Sequence, residues 1–330
     1  MKKFLAIVLS IMMVFALTAC GGSGSASSDE QIKIGVMQFG EFTALQNAYE
    51  GFVAGLEEAG YKDGENIKIN YLSAAADTAN CPTIADTLIN DGSDLIFAIA
   101  TPSVSCLKEK TTDIPVLFSA VTDAVASGLI ASNEEPGGNI SGTSDMNPVA
   151  EQIDLLKEML PDAKKVAVFY CSSESNSAAQ YELAKAQIEK LGMECVQKTI
   201  SMIDEAKSAI ESLKGQVDAI YIPTDNTISD SMTLVADAAN ESGLPIICGE
   251  PGMVENGATA TFGIDYFELG KQTAAMAVKV LESGDALGTI AKMPVEFQTE
   301  NCVTALNQKS IDALGLKVPQ SILDRAEIIK

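Results

Sequence analysis

Asp94-Leu95-Ile96-Phe97-Ala98-Ile99-Ala100-Thr101-Pro102-Ser103 is the stretch on which the fold turns. Its continuous apolar run is what a strand covered on both faces of a parallel sheet looks like, and the Thr-Pro-Ser that follows starts a helix. The same phrase returns later: Asp218-Ala219-Ile220-Tyr221 leads to Thr224. After each copy come a helix and a similar strand opening, Ile114-Pro115-Val116 and Leu244-Pro245-Ile246. The repetition predicts two similar α/β lobes.

Outward from these anchors the alternation continues. Ile32–Met37 reads as a strand, and Leu45, Ala48, Tyr49, Phe52 and Leu56 recur at helical spacing until Gly60. Ile67–Leu72 is a second strand, a helical stretch follows Asp77, and Pro115–Phe118 is the fourth strand. The later half repeats the scheme. Val149, Ile153, Leu156 and Leu160 line a helix before the strand Val166–Tyr170. Tyr181, Ala184, Ile188 and Leu191 line the next helix, ended by Gly192, and Ala219–Ile222 and Pro245–Cys248 are buried strands. Such a series builds right-handed βαβ units and doubly wound parallel sheets. The expected division is residues 32–144 plus 265–293 for one lobe and 145–264 plus 294–330 for the other, with crossings near Asp145, Asp265 and Glu296.

Composition narrows the function. Lys and Arg number 22 against 45 Asp and Glu, a net charge of −23, which repels a phosphate backbone or an anionic membrane surface. With no His, the usual Ser-His and Cys-His catalysts and the commonest zinc ligand are gone. Arg325 is the sole arginine, so an anion here is held mostly without a guanidinium fork.

Residues 1–19 read as a processing segment: Lys2 and Lys3, an apolar stretch from Phe4 to Leu17, then Leu17-Thr18-Ala19-Cys20. The stretch is short for a membrane span. It resembles a bacterial lipoprotein signal, which makes Cys20 the expected lipidated N-terminus, facing the extracytoplasmic side of the cell membrane. Residues 20–31 include the Gly/Ser/Ala run of a flexible tether. Cys81, Cys106, Cys171, Cys195, Cys248 and Cys302 show no C-x-x-C spacing, so no zinc knuckle or redox motif is readable. Cys171, Cys195 and Cys248 fit buried small hydrophobes.

In open α/β sheets ligands bind beyond the carboxyl ends of the strands. The candidate ligand residues are therefore Gln38, Phe39, Phe42, Thr101, Ser103, Ser119, Asp123, Ser172, Ser173, Asn176, Asp225, Asn226, Glu250, Asp265 and Tyr266. Hydroxyl-rich helix starts suit a carboxylate, and Asp225 or Asp265 suits an ammonium, the pair of features a zwitterion needs. Any one of these Ser, Thr, Asp or Asn residues, taken alone, is better explained as a helix cap than as a ligand contact. Their recurrence at most strand ends favours a site.

These strand ends carry a family resemblance. Ile99-Ala100-Thr101-Pro102, Val116–Asp123, Pro136–Gly142, Ser172–Ser177, Tyr221–Asn226 and Gly263-Ile264-Asp265-Tyr266 with Leu269-Gly270 resemble an ABC-transporter substrate-binding lipoprotein of the tryptophan/tyrosine type, related to type I periplasmic binding proteins. The resemblance implies two lobes on a three-crossing hinge that close over a small ligand, an amino acid in several members, and pass it to a permease and its ATPase. It implies no cofactor. The element after the first strand, Phe39-Gly40-Glu41-Phe42, lacks the His-Pro of many members.

Two other functional classes have some support in the sequence. Asp225, Glu250 and Asp265 offer carboxylates for glycoside chemistry, but no nucleophile–base pair is readable. A ligand-binding partner of a membrane signalling receptor shares the same fold and site. Gly270-Lys271-Gln272-Thr273 resembles the end of a phosphate loop, but Leu269, Thr273, Met276 and Val280 make it a helix face.

Overall fold

The computed structural model describes residues 31–298 and 302–330. The signal segment, Cys20 and nearly all of the tether lie outside the described residues.

The first sheet holds β1 (Ile32–Gln38), β2 (Ile67–Ser73), β3 (Leu95–Ile99), β4 (Val116–Ser119), β5 (Ile140–Ser144) and β11 (Glu296–Phe297) in the order β11-β5-β4-β3-β1-β2, all parallel. The second holds β6 (Lys165–Cys171), β7 (Glu194–Ile200), β8 (Ala219–Ile222), β9 (Ile246–Cys248), β10 (Ala260–Gly263), β12 (Val303–Asn307) and β13 (Ala326–Ile329) in the order β13-β12-β10-β9-β8-β6-β7. Only the β10–β12 pairing is antiparallel. Every residue of β3 and β8 is buried, because helices cover both faces of the sheets at these central strands.

The chain passes from the first sheet to the second after β5, back after β10, and again between β11 and β12. That last passage falls later than the sequence suggested. Glu296 and Phe297 pair with Thr143 and Ser144, so the segment 294–297, expected in the second lobe, belongs to the first sheet as its edge. β5 was not legible as a strand either: Ile140-Ser141-Gly142-Thr143-Ser144 has one large apolar residue, yet all five residues are buried.

Helix α1 (Thr43–Glu58) buries Leu45, Ala48, Phe52 and Leu56 on the first sheet, with Phe52 stacked 3.9 Å on Phe97. Helix α10 (Tyr266–Glu282) follows the second lobe in sequence but packs on α1. The two come within backbone contact. A Cβ on Gly270 would lie 2.1 Å from the Ala48 carbonyl oxygen, and one on Gly51 would lie 1.9 Å from that of Phe267. Thr273 of α10 also shares a 2.7 Å hydrogen bond with Thr143 of β5.

The other helices that frame the site are α2 (Cys81–Asn90), α3 (Thr101–Lys110), α4 (Val149–Met159), α5 (Ser175–Lys190), α6 (Ala206–Glu211), α7 (Asn226–Asp230), α8 (Met232–Ser242) and α9 (Pro251–Glu255). Hydrogen bonds cross between the lobes. Ser175 Oγ donates to Ser127 Oγ (3.1 Å), and the start of α9 meets the start of α1, with Asn256 Nδ2 donating to Thr43 Oγ1 (3.5 Å). The six cysteines among the described residues are free thiols. No described helix is long and apolar enough to cross a membrane.

Candidate functional site

Two cavities lie between the sheets, both walled by strand ends of the two lobes. The outer one, about 890 Å³, is lined from the first lobe by Phe39, Ala76–Thr78, Cys81, Pro82, Thr101 and Pro102, and from the second by Ser173–Asn176, Ser201–Ile203 and Thr227. The inner one, about 10 Å³, lies among Phe42, Leu45, Ala120, Thr122, Asp145, Asn176, Thr224, Asp225, Asn226, Glu250 and Tyr266. Asn176 lines both. Neither lining contains a Lys or Arg, while Asp77, Glu109 and Glu174 line the outer cavity and Asp145, Asp225 and Glu250 the inner.

Most of these acids are already engaged. Asp225 caps α7 through the Ile228 N–H (3.0 Å), and its other oxygen accepts from the Cys171 N–H (2.8 Å) and Ser177 Oγ (2.7 Å). Glu174 accepts from the N–H groups and side chains of both Asn226 and Thr227 at 2.7–2.9 Å, occupying the start of α7 with its own charge. Glu250 caps α9 through the Gly252 N–H (2.5 Å). Asp145 differs. Its Oδ2 accepts from Tyr266 Oη (2.7 Å), but its Oδ1 is buried with no hydrogen-bond partner. The Thr122 hydroxyl is close enough to the carboxylate to favour its charged form, against the effect of burial.

Of the four further unpartnered buried side-chain atoms among the described residues, Gln38 Oε1, Ser103 Oγ and Thr224 Oγ1 sit at or just past strand ends, and Gln272 Oε1 lies within α10. Leaving such groups bare costs about 1–3 kcal/mol each, so the clustering of those at strand ends marks a place built for added polar contacts. Backbone strain clusters there too. Ala75, Ala76, Ala100 and Ala120, with φ of 52°, 57°, 78° and 55°, are the non-glycine residues of positive φ among the described residues, and they follow β2, β3 and β4.

The sequence-predicted residues divide. Phe39, Thr101, Ser173 and Asn176 line the outer cavity; Phe42, Asn176, Asp225, Asn226, Glu250 and Tyr266 line the inner one. Gln38, Ser103 and Ser119 are buried behind these walls, and Ser119 Oγ accepts from Thr143 Oγ1. Asp123, Ser172 and Asp265 line neither cavity. Asp265 is exposed and caps α10 through the N–H groups of Phe267 and Glu268, and Asp123 caps a turn through those of Val125 and Ala126. For these two, the capping explanation is the one the geometry supports. The prediction missed Asp145 and Glu174. Asp145 directly follows the unrecognised strand β5, so the strand-end rule would have found it had that strand been legible.

Burial disfavours charge on the inner acids. Glu250 is pushed up to about 8, by burial first, with the charges of Glu255 and Asp145 adding. Asp145 is raised by burial, partly offset by the Tyr266 hydroxyl, and Asp225 is raised by burial and then by the charge of Glu174. A carboxyl raised in the folded state contributes stability that is complete below its unfolded value and is lost as pH climbs through the folded one. Wild-type stability should therefore fall between about pH 5 and pH 8 by up to several kcal/mol for Glu250 alone. Denaturant melts across that range should show a flatter slope for Glu250→Gln. An unchanged slope would refute the assignment of the titration to Glu250.

Two parallel-sheet lobes around an interlobe cavity are the architecture of the type I solute-binding proteins. The chain belongs to the ABC transporter substrate binding protein family, which matches residues 33–330. A tyrosine-binding protein of Clostridioides difficile is 40% identical, over 97% of this chain and 96% of its own. A Streptococcus pneumoniae ABC domain in complex with L-Trp is 35% identical and superposes with a TM-score of 0.85, over 91% of this chain and 100% of its own. The ligand-free, open structure of a Clostridium difficile substrate binding protein with adhesive properties is 41% identical, but its TM-score is 0.69, over 90% of this chain and 99% of its own.

Proposed function

We propose that this protein captures an amino acid with an apolar or aromatic side chain between its lobes and delivers it to a membrane permease driven by an ATPase. The lobes would be residues 32–144 with 265–297 and residues 145–264 with 302–330, moving about the three crossings. Cys20 would carry the lipid that holds the protein at the outer face of the membrane.

The observation that carries the reading is the shape of the site. A small polar chamber adjoins the wall of a larger cavity faced by Phe39, Ala76, Pro82, Pro102, Met202 and Ile203, which suits a charged head group on an apolar side chain. The conformation supports it: the likeness is greater to the L-Trp complex than to the open ligand-free structure, although the latter is closer in sequence. The start of α3, with no acid in its first turn, is where a carboxylate is favoured. A few charge-assisted hydrogen bonds at about 1.5–3 kcal/mol each, with burial of an apolar side chain, amount to roughly micromolar affinity after association costs.

Calorimetry on the full chain against L-tyrosine, L-tryptophan, L-leucine, xylitol and a nucleoside tests this. An aromatic or apolar amino acid is expected to bind and the others to stay silent. Binding of xylitol or the nucleoside, with every amino acid silent, would overturn it.

A further inference from the structure

The strand-end acid Asp145 stands apart from every other carboxylate in the cleft. It is 1% exposed, and one of its oxygens has no hydrogen-bond partner in a chamber without a cation. The chamber, at about 10 Å³, is the size of one water molecule, and so of one –NH3+ group. The other two acids lining it are not free to receive a cation: the oxygens of Asp225 are filled by three donors, and Glu250 is tied to the Gly252 N–H. Like charges in a dry chamber do not all persist, and burial raises Asp145 as it raises Asp225 and Glu250, so an arriving ammonium is what favours the charged form of Asp145.

The position of Asp145 in the chain matters as much as its chemistry. It lies on the first crossing between lobes, directly after β5, while Tyr266 lies on the second, directly after β10 and the cap Asp265. Tyr266 Oη donates to Asp145 Oδ2 (2.7 Å) and accepts from Asn147 Nδ2 (3.3 Å). Asn147 also donates to the Asp145 carbonyl (3.1 Å) and accepts from the Ile264 N–H (3.0 Å). One hydrogen-bonded knot therefore ties two of the three crossings together, and Asp145, whose Oδ1 has no hydrogen-bond partner, lines the inner chamber.

We propose that Asp145 receives the ligand's ammonium group and that Tyr266 and Asn147, by holding Asp145 across two hinge crossings, make amine capture and lobe closure one event. The proposal rests on the amino-acid reading above and names the part of that ligand which operates the hinge. An amine engages the knot, and a carboxylate without an amine leaves the lobes unlocked however well its ring fits the outer cavity.

The test uses the full chain with L-tyrosine, its amine tyramine and its deaminated acid 3-(4-hydroxyphenyl)propionate as probes, read by calorimetry and by the radius of gyration in solution scattering. Wild-type protein should bind L-tyrosine at least about 30-fold more tightly than the deaminated acid and contract on binding, and tyramine should contract it too. Asp145→Asn should abolish that preference. Tyr266→Phe, which leaves the carboxylate in place, should weaken L-tyrosine about 3- to 10-fold and reduce the contraction. The proposal is overturned if Asp145→Asn keeps the preference, or if the deaminated acid binds wild type as tightly as L-tyrosine, a result that needs no variant to fold. If wild type binds no aromatic amino acid or amine while a polyol binds, the amino-acid reading itself fails and this proposal with it.

Discussion

Replacing Gly252 by leucine is expected to weaken ligand binding about 100-fold. Gly252 sits at the start of α9 on the second lobe, where a Cβ would lie 2.8 Å from Thr43 Cβ and 3.3 Å from the Ala44 nitrogen of the first lobe, and 2.9 Å from Glu250 Oε2 of its own. Its φ is not in the left-handed region, so the backbone itself does not call for glycine. What demands it is the approach of the other lobe. A leucine there either pushes the lobes apart or forces a clash of about 1–3 kcal/mol. In both cases the binding-competent arrangement becomes a minor population and apparent affinity falls in proportion. Calorimetry with the bound amino acid reads the loss, and denaturant unfolding with ligand absent reads the control. A Gly252→Leu protein that binds as tightly as wild type would show that the α1–α9 contact plays no part in closure.

The second large effect concerns the first lobe alone. Gly270→Ala should lower stability by about 3 kcal/mol, and Gly270→Val by more. The added Cβ meets the Ala48 carbonyl oxygen at 2.1 Å and the Phe52 nitrogen at 2.7 Å. Both are backbone atoms, so no rotamer change relieves the contact, and α10 must lift off α1 and loosen the packing above Phe52. Urea unfolding should show a lower midpoint with little change in slope. Gly284→Ala, at a positive φ of 69° but with open space around it, is the comparison for the plain backbone cost of losing a glycine. A loss at Gly270 no larger than at Gly284 would argue against a tight α1–α10 crossing.

Much of this architecture was legible because buried parallel strands announce themselves. Leu95–Ile99 and Ala219–Ile222 are apolar throughout, and the Thr that follows each run places the site. What escaped did so for physical reasons. β5 is built of Ser, Gly and Thr because Gly142 must lie against Phe118, where a Cβ would be 2.0 Å from its carbonyl oxygen, and because the Ser141 and Thr143 hydroxyls bond to the Met293 carbonyl and to Ser119 and Thr273. A strand that trades apolar bulk for close approach carries no hydrophobic signature, and Asp145 vanished with it. Asp225, Glu250 and Asp265 are a different case. All three cap helices, and a capping acid and a ligand-binding acid look alike in sequence. Only the direction in which the strand end faces separates the exposed Asp265 from the buried Asp225.

The lodging of α10 against α1 has a consequence for the order in which the molecule is made. Partners such as Ala48 and Gly270 are far apart in the chain, with strands β6 to β10 of the second lobe between them. As the polypeptide emerges from its amino end, the apolar side of α1 and the β4–β5 edge must wait, uncovered, until residues beyond 282 have been delivered. The second lobe's strands β6 to β10 arrive as one uninterrupted block and reach their partners sooner. The nascent first half is thus the vulnerable stage of biogenesis, exposing sticky surface for most of synthesis. Holding factors that shield unfinished chains would have their longest task there.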